Sequence, residues 1–99
     1  MSWKKVIVRT KPNADVSFEE TSDSVKAYAK TNYMDTGKFS SNVTTSDDGL
    51  VITYTNIFTD EASKNEYESD STIADEANRR NTINENNGIT KEITVNEEI

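Results

Sequence analysis

Tyr54 and Asn56 stand two residues apart in the run Leu50-Val-Ile-Thr-Tyr-Thr-Asn-Ile-Phe58, so on a β-strand a phenol and an amide project from one face. A phenol can donate a hydrogen bond or transfer a proton, and an amide can do either half of a hydrogen bond. Arg80 belongs with them, because at helical spacing it shares a side with Ile73 and Ala77 and can lay its stem along a sheet while its guanidinium meets an acid or an anion. These three residues are the ligand-binding candidates. Each also has a plainer role: Tyr54 as an aromatic in a subunit interface, Asn56 as a strand-end residue, Arg80 as half of an ion pair.

The rest of the inventory excludes more than it offers. The 99 residues contain no histidine and no cysteine, which removes the commonest general base near neutral pH, the commonest metal ligand and the thiol nucleophile. Asp47-Asp48 and Asp60-Glu61 supply four carboxylates, but without the alternating ligands and closing glutamate of a calcium loop they read as turn and cap residues. Only three glycines are present, and none opens a helix after a strand as a phosphate loop would require. No metal, haem or nucleotide cofactor is expected, and no catalytic residue is assigned. Asn42-Val43-Thr44 matches a glycosylation sequon, which carries no weight without a secretory signal.

The net charge of -7 is uneven: residues 1 to 12 hold Lys4, Lys5, Arg9 and Lys11 and no acid, whereas residues 60 to 99 hold eleven acids and four bases. A surface this acidic repels phosphate backbones, so nucleic acid is not an expected partner, and a basic protein is the complementary one. No apolar run approaches the roughly 18 residues of a membrane helix, and the charged first residues do not resemble a signal peptide, so the expectation is a cytoplasmic protein with no membrane partner. With 32% hydrophobic residues and a mean hydropathy of -0.81 the core must be thin. A second subunit would be an economical source of further burial.

The elements that must position the candidates follow from periodicity and turn chemistry. Trp3 to Thr10 is β-branched at Val6, Ile7 and Val8 and reads as a strand, with Trp3 packed in the sheet or its interface; Lys11-Pro12-Asn13 ends it. Ser17-Phe18-Glu19-Glu20 fits a capping box, and Val25, Tyr28, Ala29 and Asn32 fall at helical spacing, placing a helix between Phe18 and Tyr33. Phe39 to Thr45 alternates as a strand, Asp47-Asp48-Gly49 makes a hairpin turn, and the Leu50 strand follows. Thr59-Asp60-Glu61 places a cap residue and two acids at the start of a helix running to about Glu68, Ser69-Asp70-Ser71 reads as a break and a new cap for a second piece ending near Asn86-Asn87-Gly88, and Ile89 to Val95 closes the set with Ile89, Ile93 and Val95 on one face.

That order, βαββαβ over residues 1 to 99, predicts a single α+β domain of ferredoxin-like architecture, a four-stranded antiparallel sheet with its helices on one face. Neither side of the Leu50 strand is plainly polar: Leu50, Ile52, Tyr54 and Phe58 occupy one, Val51, Thr53, Thr55 and Ile57 the other. Helices cover only one side. A second copy packed sheet to sheet through a two-fold axis would cover the other, and the alternation alone leaves open which side that is.

The basic, Trp-led first strand, the stretch "SSNVTTSDDGLVITYTNIFTDEAS", then "NEYESD" and "RRNTINENNGIT" resemble the dimeric α+β barrel superfamily, which includes antibiotic-biosynthesis-monooxygenase-like domains, and within it short members from marine metagenomes and phages. The resemblance covers nearly the whole chain through structural punctuation, without catalytic signatures. It implies a ferredoxin-like homodimer, and activities in that group range from cofactor-free oxygenation and haem degradation to none known. Haem-handling members use an axial histidine that this chain lacks. The reading is therefore a non-enzymatic, acidic, homodimeric binding or accessory protein, phage-encoded if it follows the members it resembles, with a cofactor-free monooxygenase-like enzyme or small-ligand carrier as the alternative.

Overall fold

The computed structural model describes all of residues 1–99. Strand β1 (Trp3–Thr10) is followed by α1 (Asp23–Ala29), β2 (Phe39–Thr45), β3 (Val51–Phe58), α2 (Glu61–Ser69), α3 (Ser71–Asn86) and β4 (Thr90–Glu98). The four strands form one antiparallel sheet in the order β2-β3-β1-β4, compatible with a ferredoxin-like arrangement. No helix is long and apolar enough to cross a membrane.

Local chemistry explains most boundaries. Gly49 takes φ 74° in the β2–β3 turn, where Asp48 Oδ1 accepts from the Ser46 hydroxyl and the Leu50 amide. Asp60 caps α2 by accepting from the Ser63 amide at 2.7 Å, and Asp70 caps α3 by accepting from the Thr72 amide at 3.0 Å. Gly88, at φ 77°, ends α3 with Pro12 so close that a Cβ there would lie 3.3 Å from its ring.

Helix α1 departs from the expected start. Ser17 caps nothing; the helix begins at Asp23 after Ser22, and past Ala29 it widens into a π-helical turn over Lys30–Met34. The Glu19 carboxylate and the Glu20 carbonyl of the apparent capping box serve α3 instead. Arg79 donates through Nη1 to the Glu19 carboxylate and through Nη2 to the Glu20 carbonyl, while the Glu19 amide donates to the fully buried Asn84 at 2.9 Å. Glu76, buried on α3, accepts from Arg79 Nε and Nη2 at 2.8 Å each and from the Ser22 amide at 2.6 Å. The Arg79 guanidinium, then the Ser22 amide, hold its carboxyl down at about 2 against an ordinary 4.5. A polar clasp thus fastens residues 19 to 22 to α3.

The apolar core sits at one end of the layer between helices and sheet. Ala29, Tyr33, Phe39, Phe58 and Ile73 form it, with Trp3, Val25, Tyr28 and Tyr67 packed around them. Tyr67 stacks on Phe39 with centroids 4.6 Å apart and meets the edge of Tyr33 at 5.0 Å. The phenols of Tyr28 and Tyr33 both donate to Asp70 Oδ2, at 2.7 and 2.6 Å, so one carboxylate ties α1 and the following turn to the α2–α3 junction. Those two bonds, Tyr33's first, lower the Asp70 carboxyl below its usual range, while burial and the same bond raise the Tyr33 phenol.

Register settles the two sides of β3. Tyr54, Asn56 and Phe58 share cavities with α2 and α3, so they face the helices. Val51, Thr53, Thr55 and Ile57 therefore lie on the uncovered side, opposite Thr10, Val8, Val6 and Lys4 of β1. This corrects the reading of Tyr54 as an interface aromatic. Trp3 also faces inward, donating from Nε1 to Asn96 at 2.8 Å under the Lys64 ammonium. In β4 the pairing slips by one: Ile7 faces Ile93, but Val6 faces Val95. The bulged Thr94 puts Ile93 and Val95 on opposite faces, against the expectation that they share one.

Candidate functional site

Away from the aromatic core the helix–sheet layer is not filled by apolar side chains. β1 turns Lys5, Ile7 and Arg9 toward the helices; β3 sets Asn56 opposite Lys5 and Tyr54 opposite Ile7; β4 sets Lys91 opposite Arg9. Above them α3 presents Ile73, Ala77 and Arg80. Between these surfaces is a cleft of about 280 Å³. A second cleft, about 570 Å³, continues on the α1 and β2 side of the same residues. Tyr54, Asn56 and Arg80, singled out from the sequence, line both. The structure brings all three candidates together.

Their contacts leave polar groups unused. Ser41 donates its hydroxyl to Asn56 Oδ1 at 2.7 Å, which orients the Asn56 amide. Arg80 Nε is buried and has no hydrogen-bond partner, and the plainer role of Arg80, half of an ion pair, is not realised: the ion pairs engage Lys5, Lys30, Lys38 and Arg79.

Sequence reasoning missed three further cations. Arg9 is 4% exposed, yet its side-chain hydrogen bond goes to a neutral partner, Asn81 Oδ1, at 2.6 Å. Lys91 has no acid partner. Lys5 has one, Glu68, at 2.6 Å. Burial, then the Arg80 charge, lowers the pKa of Arg9; burial, then Arg9, Lys5 and Arg80, lowers that of Lys91, with Glu85 opposing both weakly. The available signal was the spacing of Lys5, Ile7 and Arg9 on one side of β1. It was masked because Val6 and Val8 make the other side equally apolar.

The carboxylates behave as turn and cap chemistry dictates: Asp48 and Asp60 are held below the usual range by the groups they accept from, and no three acids cluster as cation ligands. Comparison with protein-family models, curated proteins and solved structures finds no match.

Proposed function

We propose that the chain is a ferredoxin-like protomer of a sheet-to-sheet homodimer that binds a small ligand between helices and sheet without transforming it. The observation that carries the reading is the convergence of Tyr54, Asn56 and Arg80 on the two clefts, with the Arg80 Nε unpaired. A buried donor without a partner costs about 1–3 kcal/mol, so its retention is accounted for by a ligand that accepts from it. The enzymatic alternative has less support: of the carboxylates lining the clefts, Glu68 is engaged by Lys5 and Glu76 by Arg79, which leaves Glu20 at the larger cleft as the one carboxylate without an ion-pair partner to accept a proton.

Dimerisation is supported by the uncovered face, where Val6, Val8, Val51, Ile57 and Val95 lie among threonines, with Lys4, Glu92 and Glu97 on the same side and no helix over them. A basic protein partner has less support, because several of the late acids are turned to internal duty: Glu66 and Glu68 pair with lysines, Asp70 with two tyrosines and Glu76 with Arg79. Light scattering should return twice the 11.1 kDa chain mass, and Ile57→Glu should return the single-chain mass with an unchanged circular dichroism spectrum. A monomeric wild type at micromolar concentration would remove the dimer from the proposal.

A further inference from the structure

Resting on that ligand-binding reading, we infer that the cleft selects a small organic phosphate monoester, with Arg9, Arg80 and Lys91 holding the phosphate and the aromatic wall taking the organic body. The cleft gathers Lys5, Arg9, Arg80 and Lys91 against the single carboxylate Glu68, within a chain whose net charge is -7. Cations at large do not collect in one partly buried place on an acidic protein without something to offset their repulsion. Ion pairing does not supply it, since Lys5 alone of the four has a salt-bridge partner.

The chemistry of the donors narrows the class. Two guanidiniums offer forked donors that match the oxygens of phosphate or carboxylate, and an ammonium adds a point charge. With Lys5 neutralised by Glu68, three positive charges remain, so a dianion offsets more of them than a monoanion; phosphate monoesters carry between about -1.5 and -2 at pH 7. The walls add a preference for an organic body. Tyr54 and Tyr67 bring rings, and Ala77 an aliphatic surface, to the same cleft, backed by the buried Phe58 and Ile73. Arg9 is fixed for the task before any ligand arrives, because burial and the Asn81 bond leave it one orientation.

Nitrogen-15 spectra at low ionic strength provide the test, with phenyl phosphate, inorganic phosphate, phthalate and phenol as probes. The Arg80 Nε–H and the Asn56 and Asn81 side-chain amides are the reporters. Phenyl phosphate should shift all three, bind more tightly than phthalate or inorganic phosphate, and lose about ten- to a hundredfold in affinity in Arg80→Met and in Lys91→Met. Melting curves and the dispersion of the remaining signals establish that each variant is folded. Phenol binding as tightly as phenyl phosphate, or affinity unchanged in both variants, would overturn the anion assignment while leaving the cleft as a ligand site. Phthalate binding tighter than phenyl phosphate would overturn phosphate in favour of a dicarboxylate. If no probe moves any reporter at millimolar concentration, the inference and the ligand-binding function fall together.

Discussion

Replacing Glu76 with glutamine keeps the shape of the side chain and removes its charge, and the clasp around it allows the cost to be worked out. Glu76 accepts two bonds from Arg79 and one from the Ser22 amide. Glutamine has one acceptor oxygen and turns an NH₂ toward donors. Hydrogen bonds to charged groups are each worth about 1.5–3 kcal/mol, but Arg79 is 39% exposed and water screens its share, so a net loss of about 2 kcal/mol is expected. At the scale of a domain this size, that is a fall of roughly 8–16 °C in melting temperature. The pH dependence makes the test specific. The folded carboxyl is depressed to about 2 from 4.5, so its contribution is complete above the ordinary value and disappears as pH falls through the folded one. At pH 3 about two-fifths of the ionic part should survive. Urea unfolding of wild type and Glu76→Gln at pH 7 and pH 3, followed by the fluorescence of the single tryptophan, measures both numbers. A gap equal at the two pH values, or below about 0.5 kcal/mol at pH 7, refutes the charge-based account.

Asp70→Ala should cost about 2 kcal/mol, since it removes the α3 cap and strands the phenol of the buried Tyr33 while that of Tyr28 turns to water; Asp70→Asn should cost less than half of that, by urea unfolding, because the amide oxygen still caps. Ligand-free Arg80→Met should be more stable than wild type by about 1 kcal/mol, with a weaker dependence of melting temperature on salt, because it deletes an unpaired donor and like-charge repulsion while keeping the aliphatic stem. A destabilised Arg80→Met would mean that the guanidinium has a partner in the free protein.

Strands and helix ends were legible where one residue type does one job. Asp48 and Gly49 make the hairpin and Gly88 stops a helix wherever the rest of the chain lies, and the helix starts fall at Thr59-Asp60-Glu61 and Ser69-Asp70-Ser71 as expected, although the cap of the first is Asp60 and not the threonine before it. Local rules failed where a longer-range partner outbid them: the acids after Ser17 look like a capping box, but Arg79 and Asn84, some 60 residues on, take Glu19 away. The face assignment in β4 failed at a single bulged residue, which leaves no mark on an alternating pattern. Of the site, Tyr54, Asn56 and Arg80 were visible because each pairs a polar tip with an apolar neighbour at the right period. Arg9 and Lys91 were not, because only the pairing of the first strand with the last makes them neighbours.

That pairing also sets a timetable. β1 sits in the middle of the sheet, yet its two partners are β3, about fifty residues later, and β4, the last strand in the chain. On a ribosome β1 emerges before the other three strands of this sheet and waits longest, and the interior of the sheet cannot be completed until residues 90 to 98 are free. Folding that waits on such distant contacts is expected to be slower than that of a helical bundle of the same length. During that interval the Val6-Ile7-Val8 segment is an unpaired, β-branched edge. The lysines at positions 4 and 5 and the arginine at 9 bracket it with like charge, so Lys5 and Arg9, which crowd the finished cleft, also help keep nascent chains from pairing with one another.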